Sequence, residues 1–242
     1  MRDNNRTLDQ LRPLQIKTHV NQWAEGSVEI FMGNTQLICT ASVSETTPKW
    51  LHKVGQGWVT AEYGMLPRSG DVRMSRERSF KSGRSQEISR LIGRSLRASV
   101  DLSKLGERTL QVDCDVLQAD GGTRTAAITG GFVALGLALN RLKDKHLLPE
   151  IPLKHYVSAC SVGISNSQIL LDLDCKEDQN CDTDMNFVMT DEGHFIEIQG
   201  TAEKNTFSQK QLLEMVEVAQ KGCQELFKKQ EEILGPFFKL KS

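Results

Sequence analysis

The segment best equipped for chemistry is Asp120-Gly121-Gly122-Thr123-Arg124-Thr125, between a strand-like run and a long apolar stretch. Adjacent glycines let backbone approach an anion closely, and the first N–H groups of a following helix are unpaired at the positive end of its dipole. Thr123 adds a hydroxyl and Arg124 a guanidinium fork suited to phosphate oxygens. No Gly-Lys-Ser/Thr closes the segment, so it is not a P-loop, and its glycines lack the spacing of a dinucleotide fingerprint. A simple tight turn before a helix accounts for the same glycines, and the residues alone leave both readings open.

A second candidate is Ser82-Gly83-Arg84-Ser85, where Arg84 can project from a helix start toward the same anion or merely into solvent. A third is acidic: Asp178, then Asp182-Thr183-Asp184. In extended chain, residues two apart point the same way, so Asp182 and Asp184 share a face. Oxygen ligands of this kind suit Mg²⁺ or Mn²⁺, which take one or two carboxylates, water and a substrate phosphate. A solvated acidic turn between two strands is the plain alternative. The absences also inform: there is no GxSxG elbow and no HExxH, and the 5 histidines are scattered without ligand spacing. An enzyme of this kind needs a nucleophile from outside the protein, and phosphate held by arginines meets that need.

The elements that must position these residues begin as β structure. Leu14–Val20 and Ser27–Phe31 alternate, Gly33-Asn34 punctuates, Gln36–Val43 completes a hairpin, and Trp58–Glu62 follows a glycine-containing turn. Arg68–Lys81 is polar, without apolar periodicity, and reads as a long loop. From Ser85 onward Ile88, Leu91, Ile92, Leu96 and Val100 share one helical face. Leu110, Val112, Cys114 and Val116 then alternate as a half-buried strand, Gln118–Thr125 is a turn, and Ala126–Leu142 is apolar nearly all round, as a buried helix is. After Pro149 and Pro152 come short strands over Val157–Ile164, Ile169–Asp174, Met185–Met189 and Phe195–Gln199. A last helix starts near Ser208, with Gln211 completing a capping box, and stops at Gly235-Pro236. The order predicts an α+β fold, a single domain over residues 1–242 with a C-terminal tail at about 235–242.

Composition bounds the function. Hydrophobic residues make up 38% and charged residues 25%, ordinary for a folded chain. No apolar stretch looks long enough for a membrane span, because glycines and a threonine break the one at Ala126–Leu139. No apolar leader follows the polar N-terminus. The 6 cysteines show no CxxC and no regular spacing, which fits a reducing compartment and a cytoplasmic location. Net charge is −1, yet Arg68 to Arg97 carries nine Lys/Arg against three acids. One basic segment on an acidic body is an electrostatic footprint for phosphate or RNA, or else a solvated charged face. Aromatics at 6% argue against an extensive base-stacking platform.

Taken together, several blocks resemble the ribonuclease PH family: Asn5-Arg6-Thr7 with Asp9–Pro13, Ala24–Ser27, Gly55–Arg68, Ser82–Arg97, Asp113–Thr125, Asp182–Thr190 and Gln199–Glu203. They run in order along nearly the whole chain. The resemblance implies a two-layer sandwich of antiparallel or mixed strands and helices, assembled as a homohexameric ring, a trimer of dimers. It implies a phosphorolytic 3′-5′ exoribonuclease and tRNA nucleotidyltransferase acting on tRNA precursors, and on rRNA as a further substrate, with no membrane partner. By the same resemblance Arg84, Gly122, Thr123 and Arg124 bind inorganic phosphate, Asp178 and Asp184 are the catalytic carboxylates that hold Mg²⁺, and Arg68, Arg73 and Arg76 or Arg78 contact RNA. An inert RNA-binding subunit of an exosome-like ring is the alternative within the same fold.

Overall fold

The computed structural model describes residue 2, residues 5–51 and 53–238, apart from the side chains of residues 78, 80 and 81. Alternating apolar residues build a first sheet of β1 (Leu14–Thr18), β2 (Gly26–Met32), β3 (Thr35–Ser44), β4 (Trp58–Met65) and β5 (Thr109–Gln118). Its order is β1-β2-β3-β5-β4. All neighbours are antiparallel except β4 and β5, which run parallel because α1 (Arg76–Lys81) and α2 (Gly83–Ser99) carry the chain back between them. The Gly33-Asn34 turn joins β2 to β3 as expected, with Gly33 at φ 58°.

A second sheet, order β7-β6-β8-β9, is antiparallel throughout: β6 (Val157–Ser165), β7 (Gln168–Leu171), β8 (Thr183–Thr190) and β9 (Phe195–Ala202). α3 (Thr123–Asp144) touches β2 and β3 on one side and β6 on the other, and α5 (Gln209–Leu234) packs on β6 and β7. α3 thus has sheet on both sides. Gly26 faces the Ala134 carbonyl so closely that a Cβ has no room, which is how sheet and helix seat together. One continuous apolar core runs through both sheets and α3.

α3 is long and apolar enough, by composition, to cross a membrane, contrary to the expectation that no stretch would be. Its apolarity has a structural cause: nearly every residue from Thr125 to Leu139 is buried between the sheets. The expected loop at Arg68–Lys81 is helical in its last part, α1. The buried Ser79 hydroxyl donates to Met65 O at 2.6 Å and accepts from Met65 N at 3.0 Å, a side-chain staple that leaves no apolar periodicity to read. The strand expected over Ile169–Asp174 ends at Leu171, because Asp172 adopts φ 54° and turns the chain. There follows a helix the sequence reading placed in a turn, α4 (Cys175–Asn180), closed by a capping box between Asp174 and Glu177. The capping box at Ser208 and Gln211 forms as expected. Phe238 of the tail packs on Tyr156 with ring centroids 5.5 Å apart, and residues 239–242 of that tail lie outside the described residues. All six cysteines are unpaired thiols.

Candidate active site

The glycine turn is held from behind. Gly121 and Gly122 have φ 74° and 64°, in the left-handed region that side chains disfavour. A Cβ on Gly121 would also stand 2.5 Å from Leu173 O. The Asp120 and Gly121 carbonyls accept hydrogen bonds from Arg12, and Gly121 O accepts a further one from Thr35 Oγ1 at 2.6 Å. Arg12 is itself fixed by Asp172, with Nε to Oδ2 at 3.0 Å and Nη2 to Oδ1 at 2.6 Å. Both members are buried, with 4% and 0% of their surface exposed. Burial by itself lowers the Arg12 pKa, but the bond to Asp172 and the charges of Asp172, Asp120 and Asp174 outweigh it and raise the value, so the cation is secure.

With the carbonyls engaged behind, the other side of the turn is the start of α3. Its first helical hydrogen bond runs from Ala126 N to Gly122 O, which leaves the N–H groups of Thr123, Arg124 and Thr125 without a helix partner. Here a cleft of about 210 Å³ opens. Arg84, Gly122, Thr123, Arg124, Asp178 and Asp184, six residues from four separate stretches of chain, all line it. Arg84 arrives from the first turn of α2, whose N-cap Ser82 accepts from Ser85 N at 3.1 Å. Thr123 is fixed by a 2.8 Å hydrogen bond between its hydroxyl and that of buried Tyr63. Burial holds the Tyr63 phenol above its ordinary pKa, against the opposing influence of Thr123, Arg84 and Arg124, so it remains a neutral donor and acceptor. Arg124 Nη1 donates to Gln199 Oε1 at 2.7 Å and lies 3.7 Å from Glu87.

The acidic wall comes from α4 and β8. Neither the Asp178 nor the Asp184 carboxylate makes a hydrogen bond or ion pair with the described residues. Desolvation in the cleft wall and the neighbouring Asp184 charge push the Asp178 pKa above the usual Asp value, while Arg84 and Arg124 pull it down. Unpaired acids facing the Arg84 and Arg124 cations across one cleft are costly for stability and useful for binding a charged substrate. No group of three His, Cys, Asp or Glu side chains with metal-binding geometry occurs among the described residues. Two carboxylates with open positions still match Mg²⁺, which keeps several waters and takes substrate phosphate oxygens.

Asn186 also lines the cleft, two residues after Asp184 on β8. Sequence reasoning paired Asp184 with Asp182 instead. Asp182 precedes the strand, accepts from Asn205 Nδ2 at 2.9 Å, and does not line the cleft. The period-two rule holds from Asp184 forward rather than backward, and Asn186 was readable by it. Ser161, beside Asn186 in the sheet register, and Cys175 line the cleft as well; neither belonged to a recognisable motif.

Arg68 lies elsewhere, in a neighbouring pocket of about 690 Å³ with Asn34, Asp71, Asp120 and Lys176. The two cavities meet at Ala119. Arg73 and Arg76 are exposed and line neither, and the Arg78 side chain lies outside the described residues. Part of the basic segment is spent internally: Arg94 forks onto Glu197 at 2.8–3.0 Å, and Arg97 stacks over Trp58 and donates to Val59 O.

Family comparison converges with this geometry. Residues 10–139 match the model of the 3′ exoribonuclease family, domain 1, and residues 155–222 match that of domain 2. The chain belongs to the 3′ exoribonuclease family. A curated relative, Ribonuclease PH of Bdellovibrio bacteriovorus, is 55% identical over 240 residues, covering 99% of each chain. Among solved structures, rice (Oryza sativa) Rrp46 superposes with a TM-score of 0.78 at 18% identity, over 96% of this chain and 100% of its own. A chain of the Archaeoglobus fulgidus exosome, solved with RNA bound to the active site, gives 0.78 at 20% identity, over 95% and 92%. At those identities the two structures establish the fold. In this member of the 3′ exoribonuclease family, the first domain match ends within α3 and the second begins just before β6, and the cleft is built from both.

Proposed function

We propose that this chain is a phosphate-dependent 3′-5′ exoribonuclease that removes nucleotides one at a time from RNA 3′ ends and releases nucleoside diphosphates. The observation that carries the reading is the convergence of Arg84, Thr123, Arg124 and the free start of α3 with Asp178 and Asp184 in a single cleft. The full-length relative named Ribonuclease PH points the same way, and tRNA precursors are the substrate class that name suggests. Arg68 in the adjoining pocket gives the RNA chain upstream of its 3′ end a cationic contact.

Inorganic phosphate rests on the Arg84 and Arg124 guanidiniums, the Thr123 hydroxyl and the N–H groups that open α3. One phosphate oxygen attacks the terminal phosphodiester phosphorus, forming a P–O–P bond as the bond to the 3′-oxygen of the preceding nucleotide breaks. That oxygen takes up a proton and leaves as the new 3′ hydroxyl. Bringing two anions together is the chief electrostatic obstacle, so fixed cations matter more here than a protein base. Asp178 and Asp184 are the residues that would hold Mg²⁺, whose charge would offset the negative charge building on the reacting oxygens. The reaction is near balance, so added nucleoside diphosphates drive the reverse addition. One chain offers RNA only a short basic surface, and a homohexameric ring of one-domain subunits extends it.

The direct test supplies 3′-tailed tRNA with and without phosphate. Shortening that requires phosphate, with diphosphates released, is expected; nucleoside monophosphates released without phosphate would replace the mechanism by hydrolysis.

A further inference from the structure

The Gln199–Glu203 block matched the family by sequence, yet none of the chemistry above uses it. Gln199 sits on β9 with its amide wedged between a guanidinium and two carboxylates. Its Nε2 donates to Glu87 Oε1 at 3.1 Å and to Glu197 Oε1 at 2.9 Å, while its Oε1 accepts from Arg124 Nη1 at 2.7 Å. The chemistry fixes that orientation, since only the NH₂ end can face carboxylates and only the carbonyl end can face a guanidinium. Arg124 makes no other side-chain hydrogen bond to the described residues, so the rest of its fork stays open toward the cleft. Glu87 stands 3.7 Å from Arg124, close enough to compete for it, but its carboxylate is engaged by the glutamine. Glu197 is engaged from the other side by Arg94.

We infer that Gln199 is a positioning residue that sets phosphate affinity: it aims the Arg124 guanidinium into the cleft through a neutral acceptor and restrains Glu87 from neutralising it. The inference rests on the phosphate reading of the cleft. A neutral amide is suited to the task, because it orients a cation without cancelling the charge that phosphate needs. A carboxylate in the same place would form a charge-assisted pair with Arg124 and compete with the substrate.

The test measures phosphate KM, RNA KM and kcat for Gln199→Met, Gln199→Glu and Glu87→Gln, and in parallel the affinity for inorganic phosphate by calorimetry without RNA. Gln199→Met is expected to raise phosphate KM roughly three- to tenfold, since phosphate binding must then re-aim a guanidinium that has lost one hydrogen-bonded anchor. Gln199→Glu raises it further, and RNA KM stays near wild type. Adding Glu87→Gln to Gln199→Met lowers the phosphate KM again, a rescue that general loss of structure would not give. Glu87→Gln alone, at a half-exposed site, lowers phosphate KM. Wild-type phosphate KM in both Gln199 variants, or a fall in kcat at unchanged KM, would overturn the inference. If wild type releases no nucleoside diphosphates while the Gln199 variants still weaken calorimetric phosphate binding, the proposed reaction fails and the positioning role stands.

Discussion

Removing the cation behind the glycine turn should separate stability from phosphate affinity. Arg12→Met leaves the Asp172 carboxylate with no exposed surface and only the more distant Arg6 guanidinium, 4.0 Å away, as a cation, and frees the Asp120 carbonyl of its hydrogen bond to Arg12 while Thr35 still holds that of Gly121. Breaking a buried pair by deleting one partner costs about 3–5 kcal/mol. In a chain of this size each kcal/mol is worth about 2–4 °C, so the melting midpoint should fall by about 6–20 °C. Adding Asp172→Asn removes the weakly compensated charge, and asparagine tolerates the left-handed backbone at φ 54°. The double variant should therefore recover part of the melting temperature. It should not recover phosphate KM, because the Asp120 carbonyl still lacks its Arg12 donor and the Gly121 carbonyl behind the turn is held by Thr35 alone. Thermal denaturation followed by circular dichroism, with phosphate-dependent nucleotide release, reads both quantities. An Arg12→Met variant with an unchanged midpoint, or a double variant with wild-type phosphate KM, would refute the reasoning.

Other outcomes are specific. Arg124→Ala and Asp184→Asn should each lower kcat/KM by about 10²–10³ in a folded protein, the range for loss of one group that stabilises a charged transition state; near wild-type phosphorolysis in either removes its role. Gly122→Ala places a Cβ at φ 64° and 2.8 Å from Arg12 Nη2, so both melting temperature and phosphate affinity should drop, as denaturation and calorimetry would register. Glu177 next to Asp178 offers a pH test. Burial raises its pKa, but hydrogen bonds from Arg2 and the charges of Arg2 and Arg6 prevail and hold it below 4.5. A depressed carboxylate stabilises the fold above its unfolded-state value and loses that contribution as pH falls through the lower folded-state value. Glu177→Gln should thus be less stable than wild type at neutral pH, with the gap closing below about pH 4.5 in urea denaturation series. Binding of tailed tRNA should weaken steeply with salt, and Arg68→Ala should flatten that slope by about one phosphate contact.

Much of this site was legible before the fold was known, because its parts are local. A glycine pair before a helix, an arginine beside a capped start and two carboxylates are each visible in a few residues, and the strand periods placed most of the scaffold. Convergence was not legible, since Arg84, Arg124, Asp178 and Asp184 are brought together only by the packing of α2, α3, α4 and β8. The residues that hold the site in place were missed for the same reason. Arg12 reaches Asp172 across 160 positions, and Gln199 reaches Arg124 across 75; no spacing rule connects them. Where local signals existed but were passed over, the cause was brevity: α4 is six residues, too short for periodicity, although its Asp174 and Glu177 caps stood in plain view. The basic segment misled in the opposite way, since charge counting does not reveal that Arg94 and Arg97 are consumed by Glu197, Trp58 and Val59.

The decisive measurement is the identity of the nucleotide released. Purified protein with Mg²⁺ and a 3′-tailed tRNA, given ³²P-labelled inorganic phosphate, should transfer the label to the β position of the released nucleoside diphosphate, with the tail shortened one residue at a time. Shortening that leaves the label in free phosphate, with monophosphates as product, would contradict phosphate as the attacking group and with it the assignment of Arg84, Thr123 and Arg124.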